Sequence, residues 1–320
     1  MKRRFRLRRR RLAAAVLLPL AATITYPALG AGAEPGPDHA RIDASQRTVP
    51  YGQPVTLAGA FPGAAKAPVD VRYRAKGSEV WHTAKTDRTG AGGRYRVRVQ
   101  PAGSGYWRAE LGDTATSGEQ VPPASAVAPG VDSDTGTERI KVRSHTRARV
   151  AGRHGMVGDR IVVRGEVSPA GAKREIVVRV GGERERTEAG RGGHFRLGWK
   201  APHTGVFRVE AKARSNRTAT GSRDAAGRVT VYRPAAASWY GPGLYGNALA
   251  CGGTLSPSTM GVANRSLPCG TKVHLRYGDR SVTVPVIDRG PYSGSREYDL
   301  TAATKERLGF PDVGTVLTTR

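Results

Sequence analysis

The run Val284-Pro285-Val286-Ile287-Asp288-Arg289-Gly290-Pro291-Tyr292 ends an alternating strand pattern on a carboxylate, a guanidinium and a Gly-Pro turn. A carboxylate held at a strand end by a tight turn can give or take a proton, so Asp288 is the candidate acid or base. Arg289 either pairs with it or turns to the opposite side, since neighbours in extended chain alternate. Asn264 and Asp299 are two further polar candidates. Asp299 has a competing role as cap of the helix predicted after it. Tyr240 and Tyr292 are candidate stacking surfaces, each offering a flat apolar ring face. Trp239, Tyr245 and Tyr298 carry the same option, with burial in a core as the competing reading.

Cys251 and Cys269 are the two cysteines of the chain. In an exported protein such a pair reads as a disulfide. It would close a short loop and contribute about 3 kcal/mol. A metal pair lacks company, because the nearby His274 sits in the alternating run Lys272–Arg276. His145, His154, His194 and His203 are scattered, so neither metal nor cofactor is expected.

The expectation of export comes from the N-terminus. Residues 1–11 hold eight basic and no acidic side chains. An apolar stretch, Leu12–Leu29, and the small residues Ala31-Gly32-Ala33 follow, which is the order of a cleaved signal peptide. Arg3-Arg4 loosely fits a twin-arginine route. An uncleaved anchor is the competing reading, and Pro19 with the terminal Ala-Gly-Ala favours cleavage, leaving no transmembrane segment. The formal charge of +26 then points to anionic polymers outside the membrane. No reading helix, zinc spacing or stacking motif supports nucleic acid. Most of the positive charge lies in the middle of the chain.

The supporting elements read as mostly β. Residues 34–45 are a flexible segment. Short period-two runs over residues 46–120, among them Arg94-Tyr95-Arg96-Val97-Arg98-Val99, predict one small immunoglobulin-like β-sandwich. Residues 121–139 read as a linker. A second sandwich is expected over residues 140–233. The two share positions: Gly52 and Gly59 match Gly158 and Gly165, Gly93 and Gly105 match Gly193 and Gly205, and Tyr95 and Trp107 match Phe195 and Phe207. Such periodicity marks an internal repeat, read as a spacer or a binder of polyanions. Residues 235–320 predict strands at 236–240, 261–263, 271–277, 281–287 and 314–318. One helix is predicted over Thr301–Leu308, stopped by Gly309.

In this last region Ala237-Ser238-Trp239-Tyr240-Gly241, Gly261-Val262-Ala263-Asn264-Arg265-Ser266-Leu267-Pro268-Cys269-Gly270-Thr271, Val286–Tyr292 and Asp299-Leu300-Thr301 occur in order. The set resembles the rare lipoprotein A family, the septal-ring lytic transglycosylases. The resemblance implies a six-stranded double-psi β-barrel acting at peptidoglycan. It places the family's aspartate at Asp288, with Asn264, Tyr240, Tyr292, Arg289 and Asp299 as substrate-binding candidates. In such chemistry the sugar's own 6-hydroxyl attacks and leaves a 1,6-anhydro end. One departure matters: Asn264 stands where transglycosylase members usually carry a histidine, and an amide cannot exchange a proton near neutral pH. Three functions therefore stay open: an exported, wall-associated transglycosylase, a non-catalytic expansin-like wall binder, and a protein-interaction module of the envelope. Peptidoglycan or another anionic wall polymer is the expected partner, and oligomeric state is not legible.

Overall fold

The computed structural model describes residues 39–112, 133–171 and 173–320. The expected signal peptide (1–33), residues 34–38 of the flexible segment and residues 121–132 of the linker lie outside the described residues. The described chain is mostly strand and carries three separate hydrophobic clusters. None of its helices is long and apolar enough to cross a membrane.

Eight strands surround the first cluster: β1 (Arg41–Ala44), β2 (Thr48–Pro50), β3 (Val55–Ala60), β4 (Pro68–Ala75), β5 (His82–Arg88), β6 (Arg94–Val99), β7 (Gly105–Leu111) and β8 (Glu138–Arg143). They pair as β1-β3-β6 and as β2-β8-β7-β4-β5. Alternation builds both sheets. On β6, Tyr95, Val97 and Val99 are buried while Arg94, Arg96 and Arg98 face water, as a two-residue side-chain period requires. Leu57 and Val97 from the smaller sheet share a cluster with Val69, Val71, Trp107 and Ala109 from the larger.

Two segments differ from the sequence reading. Arg41–Ala44, read as flexible, pairs with β3 and buries Ile42. Glu138–Arg143, divided above between the linker and the second sandwich, pairs with β7 and β2 and adds Ile140 and Val142 to the first cluster. In each case burial of alternate apolar side chains outweighs a coil-like composition nearby.

The second cluster lies among β9 (His145–Val150), β10 (His154–Met156), β11 (Arg160–Ser168), β12 (Arg174–Val180), β13 (Glu183–Ala189), β14 (His194–Lys200), β15 (Gly205–Ala213) and β16 (Ser222–Tyr240). One sheet runs β14-β11-β9; the other begins β13-β12-β15-β16, with β10 parallel to β16. Gly165 stands opposite Phe195, as Gly59 stands opposite Tyr95. A Cβ at Gly165 would lie 2.3 Å from the Phe195 ring, and one at Gly59 would lie 2.6 Å from the Tyr95 hydroxyl. Both aromatic rings therefore pack over a residue that must lack a side chain.

β16 is 19 residues long and leaves the second cluster for the third. Its first part pairs with β15, Arg233–Ala237 pairs with β21 (Gly314–Thr318), and Ala237–Tyr240 pairs with β20 (Tyr298–Thr301). With β17 (Val262–Ala263), β18 (Lys272–Tyr277) and β19 (Arg280–Asp288), the order is β16-β20-β17-β19-β18-β21, and β21 pairs back to β16. Leu275, Val286, Leu300 and Val316 fill the space among these strands.

The α-helix α1 (Ala302–Leu308) follows β20 directly. Thr301 is its N-cap and accepts a hydrogen bond from the Thr304 amide. The capping role considered for Asp299 therefore belongs to Thr301, because the strand continues two residues further. Gly309, at φ 67°, ends the helix with its amide donating to the Glu306 carbonyl, the geometry for which glycine is favoured.

Candidate functional site

The paired strands bring Asp288 and Asp299 to the two sides of Ala263. Ala263 on β17 is aligned with Asp288 on β19 and with Asp299 on β20, and Asp299 is aligned with Ser238 on β16. Directly opposed residues project to one side of a sheet, so these four form a row. The register between β17 and β19 shifts at this point, with Val262 opposite Val286 and Ala263 opposite Asp288. The additional residue, Ile287, is a bulge that turns Asp288 out of the face on which Val286 is buried.

Asp288 is held from the backbone. Its Oδ1 accepts from the Ala250 amide at 3.0 Å and from the Arg289 amide at 2.9 Å. Ala250 is placed by its neighbour: the Cys251 amide donates to the Ile287 carbonyl, and Cys251 is disulfide-bonded to Cys269 across a Cα–Cα distance of 5.5 Å. The expected disulfide is thus present and secures the loop that holds the carboxylate. Gly290, at φ 127°, makes the turn after it.

Arg289 turns away from Asp288. Its guanidinium donates to the carbonyls of Asn264 and Leu267 at 3.2 and 3.0 Å and contacts Cys269 Sγ at 3.2 Å. Asn264 is buried, and its side chain organises the same loop. Nδ2 donates to the Glu297 carbonyl, while Oδ1 accepts from the Ser266 and Leu267 amides. The two residues read from sequence as ligand contacts are braced against their own backbone.

Asp299 accepts from Ser238 Oγ at 2.7 Å. Burial pushes its carboxyl above the usual range; the Asp288 charge acts in the same direction, and the Ser238 hydrogen bond and Arg296 act against it. Tyr240 lies two residues from Ser238 on β16, on the same face. Its hydroxyl is buried and makes no hydrogen bond of normal geometry, with Asp288 as its candidate acceptor. Burial holds the phenol protonated, and the charges of Asp288 and Asp299 reinforce this. A buried donor faced by two carboxylates is the arrangement's most unusual feature, because such groups normally find partners.

The other aromatics separate. Tyr298 is core, with its hydroxyl accepting from Thr318. Trp239 is part-buried: its Nε1 donates to Asp312, and the Lys305 ammonium lies 3.9 Å from the ring centre. Tyr292 is 80% exposed and Tyr245 37%. Ser238 and Ala263 were missed as site residues. Strand alternation through Ala237–Tyr240 was the available signal, since it puts Ser238 beside Tyr240.

Residues 234–319 match the family model described as lytic transglycolase. The C-terminal domain is rare lipoprotein A-like. A probable endolytic peptidoglycan transglycosylase RlpA of Synechocystis sp. is 39% identical over 94 residues, covering 28% of this chain and 29% of that protein. The endolytic peptidoglycan transglycosylase RlpA of Pseudomonas aeruginosa is 40% identical over 81 residues, covering 25% of this chain and 24% of that one. The chain thus spans less than a third of the length of these curated relatives.

Proposed function

We propose that this is an exported cell-wall protein whose C-terminal domain, a six-stranded double-psi β-barrel, binds peptidoglycan glycan strands and cleaves them to 1,6-anhydro ends. Two immunoglobulin-like sandwich repeats carry that domain. The observation that supports cleavage most directly is the pair Asp288 and Asp299 across the small Ala263, with the Asp299 carboxyl raised by burial.

A leaving glycosidic oxygen needs a proton, and a carboxylic acid supplies it only while it still holds one. Asp299 takes that role. Asp288, with Oδ1 fixed by two amides, offers Oδ2 to the C6 hydroxyl of the sugar. As the C6 oxygen bonds to C1, its proton passes to Asp288. The C1–oxygen bond to the next sugar breaks, and that oxygen takes the Asp299 proton. The two protons are accounted for without water, and later exchange restores the starting state. Tyr240, whose buried hydroxyl lies in the field of both carboxylates, is read as a donor to them as charge moves, and exposed Tyr292 offers a face to a neighbouring sugar.

A second reading, a non-catalytic wall binder, is favoured by Asn264, which cannot relay a proton and whose amide is engaged by its own loop and by the Glu297 carbonyl. Digestion of purified peptidoglycan separates the two. The transglycosylase reading expects 1,6-anhydro muropeptides by mass spectrometry from the wild type and far less from Asp299→Asn or Asp288→Asn. Co-sedimentation with insoluble wall and no anhydro product at any enzyme dose would leave the binder.

A further inference from the structure

An unassigned charge feature lies far along the chain from this site, on the outer face of the β14-β11-β9 sheet. Arg164 on β11 is aligned with Arg149 on β9 and with Arg196 on β14. Three guanidinium-bearing residues thus stand in one row across three strands, spanning about 10 Å at the usual strand spacing. All three are exposed. Like charges directly opposed across strands are destabilising, so the row works against the fold unless something offsets it.

Arg208 and Arg228, opposed on β15 and β16, make a pair without a third arginine in register, and at one other opposed pair the problem is solved internally. Arg72 and Arg108 are also directly opposed, on β4 and β7. There Glu110 pairs with both, and the Trp81 ring covers Arg108. No such partner serves the row. Among the described residues the guanidiniums of Arg149, Arg164 and Arg196 make no hydrogen bond, ion pair or ring contact with protein groups. Glu166, the nearest acid in register, sits in the next row between Arg147 and His194 and pairs with neither. The first three-stranded sheet has no counterpart, because Arg96 there faces Ala58, with Asp43 beyond. A cavity of about 450 Å³ lies over the row, lined by its three arginines and by Arg147, Glu166 and His194 among others.

We propose that this row is a binding site for a linear, base-free phosphodiester polymer of polyol or sugar phosphates. The guanidinium fork matches the two free oxygens of a phosphodiester. A chain carrying one such charge per repeat meets a file of guanidiniums in succession without having to fold. The alternative phosphodiester, single-stranded nucleic acid, calls for exposed aromatic platforms. The one aromatic ring beside histidine in this lining, Phe195, is 5% exposed and faces the core. The site is separate from Asp288 and Asp299 and does not depend on their chemistry.

The test uses the full chain with fluorescent poly(glycerol phosphate), and polyglutamate and single-stranded DNA of matched charge as comparisons. The wild type binds poly(glycerol phosphate) at least tenfold more tightly than polyglutamate and no less tightly than DNA. Replacing Arg149, Arg164 and Arg196 by Gln weakens that binding at least tenfold and flattens its dependence on log salt by roughly two units. Replacing the exposed Arg184, Arg208 and Arg228 by Gln removes the same charge from the other sheet and changes affinity less than threefold. Equal losses from the two triple variants would assign binding to net charge and overturn the site. Equal affinity for polyglutamate, or tighter binding of DNA, would overturn the ligand class. Thermal melting checks that the first variant folds, and relief of the like-charge row leaves its midpoint at or above that of the wild type.

Discussion

Asp288 and Asp299 flank Ala263, each one strand away, and a bulge at Ile287 brings Asp288 round to the side that Asp299 occupies. Their environments differ. Asp288 is oriented by two backbone amides, whereas Asp299 has one hydroxyl donor and is raised by burial. Carboxylates pushed into different protonation states are the usual means of dividing acid from base.

Replacement of either carboxylate tests that division. Asp299→Asn and Asp288→Asn should each lower release of anhydro muropeptides by about 10²–10⁴-fold, the range for a general acid or base, while co-sedimentation with wall persists. With Asp299 as the acid, the wild-type rate falls as pH rises through its raised folded pKa. A rate that instead climbs steadily through that range would exclude Asp299 as proton donor.

The same shift has a stability consequence of defined sign. The carboxyl of Asp299 is raised in the folded state, so its contribution is fully present below its unfolded pKa and is lost as pH rises through the folded value. Asp299→Asn cannot ionise and escapes that loss. The variant's thermal midpoint relative to wild type should therefore increase as pH rises from below the unfolded carboxyl value through the folded one. Contributions from carboxylates remote from Asp299 cancel from the difference. A flat difference across this range would contradict the burial effect.

The disulfide should matter to position as well as to stability. Cys251→Ser with Cys269→Ser removes a cross-link worth about 3 kcal/mol for a loop of this size. It also frees the segment that presents the Ala250 amide to Asp288. Anhydro-product release should fall further than the unfolded fraction explains at temperatures well below the new midpoint. Equal losses of folded protein and activity would reduce the bond to a simple staple.

Parts of this arrangement were legible in advance for definite reasons. The hairpin of β18 and β19 was readable because Val273, Leu275, Val284 and Val286 alternate with exposed or half-buried residues. β20 was not, because it is four residues long and three of them are buried, which leaves no alternation to detect. The length of β16 was hidden by Pro234, whose ring sits on an exposed position at which the strand passes between clusters. The direction of Arg289 was undecidable from spacing: its targets are carbonyls of a loop more than 20 residues earlier in the chain. Asn264 was visible as a polar residue, but nothing local revealed that its Nδ2 would be taken by the Glu297 carbonyl, 33 residues later in the chain.

Arg289 can be tested through that loop. Lysine keeps the charge but not the fork that reaches two carbonyls and a sulfur at once. Arg289→Lys should cost about 1–3 kcal/mol, the scale for leaving buried acceptors poorly satisfied, seen as a lower denaturation midpoint. Hydrogen exchange at the Ser266 and Leu267 amides should accelerate. Unchanged exchange there would show that Asn264 alone holds the loop.

Tyr240 provides the sharpest separation of function from structure. Its buried hydroxyl, beside Asp288, makes no hydrogen bond of normal geometry, and a poorly satisfied buried donor costs about 1–3 kcal/mol. Tyr240→Phe removes that cost while keeping the ring, so the folded state should become more stable. If the hydroxyl is retained to serve Asp288 and Asp299 as protons move, the same variant should lose at least tenfold in anhydro-product release. The two measurements then move in opposite directions, which no packing role for the ring predicts. A variant that gains stability and keeps full activity would remove Tyr240 from the mechanism, and one that loses both would mean that the hydroxyl has a partner in solution.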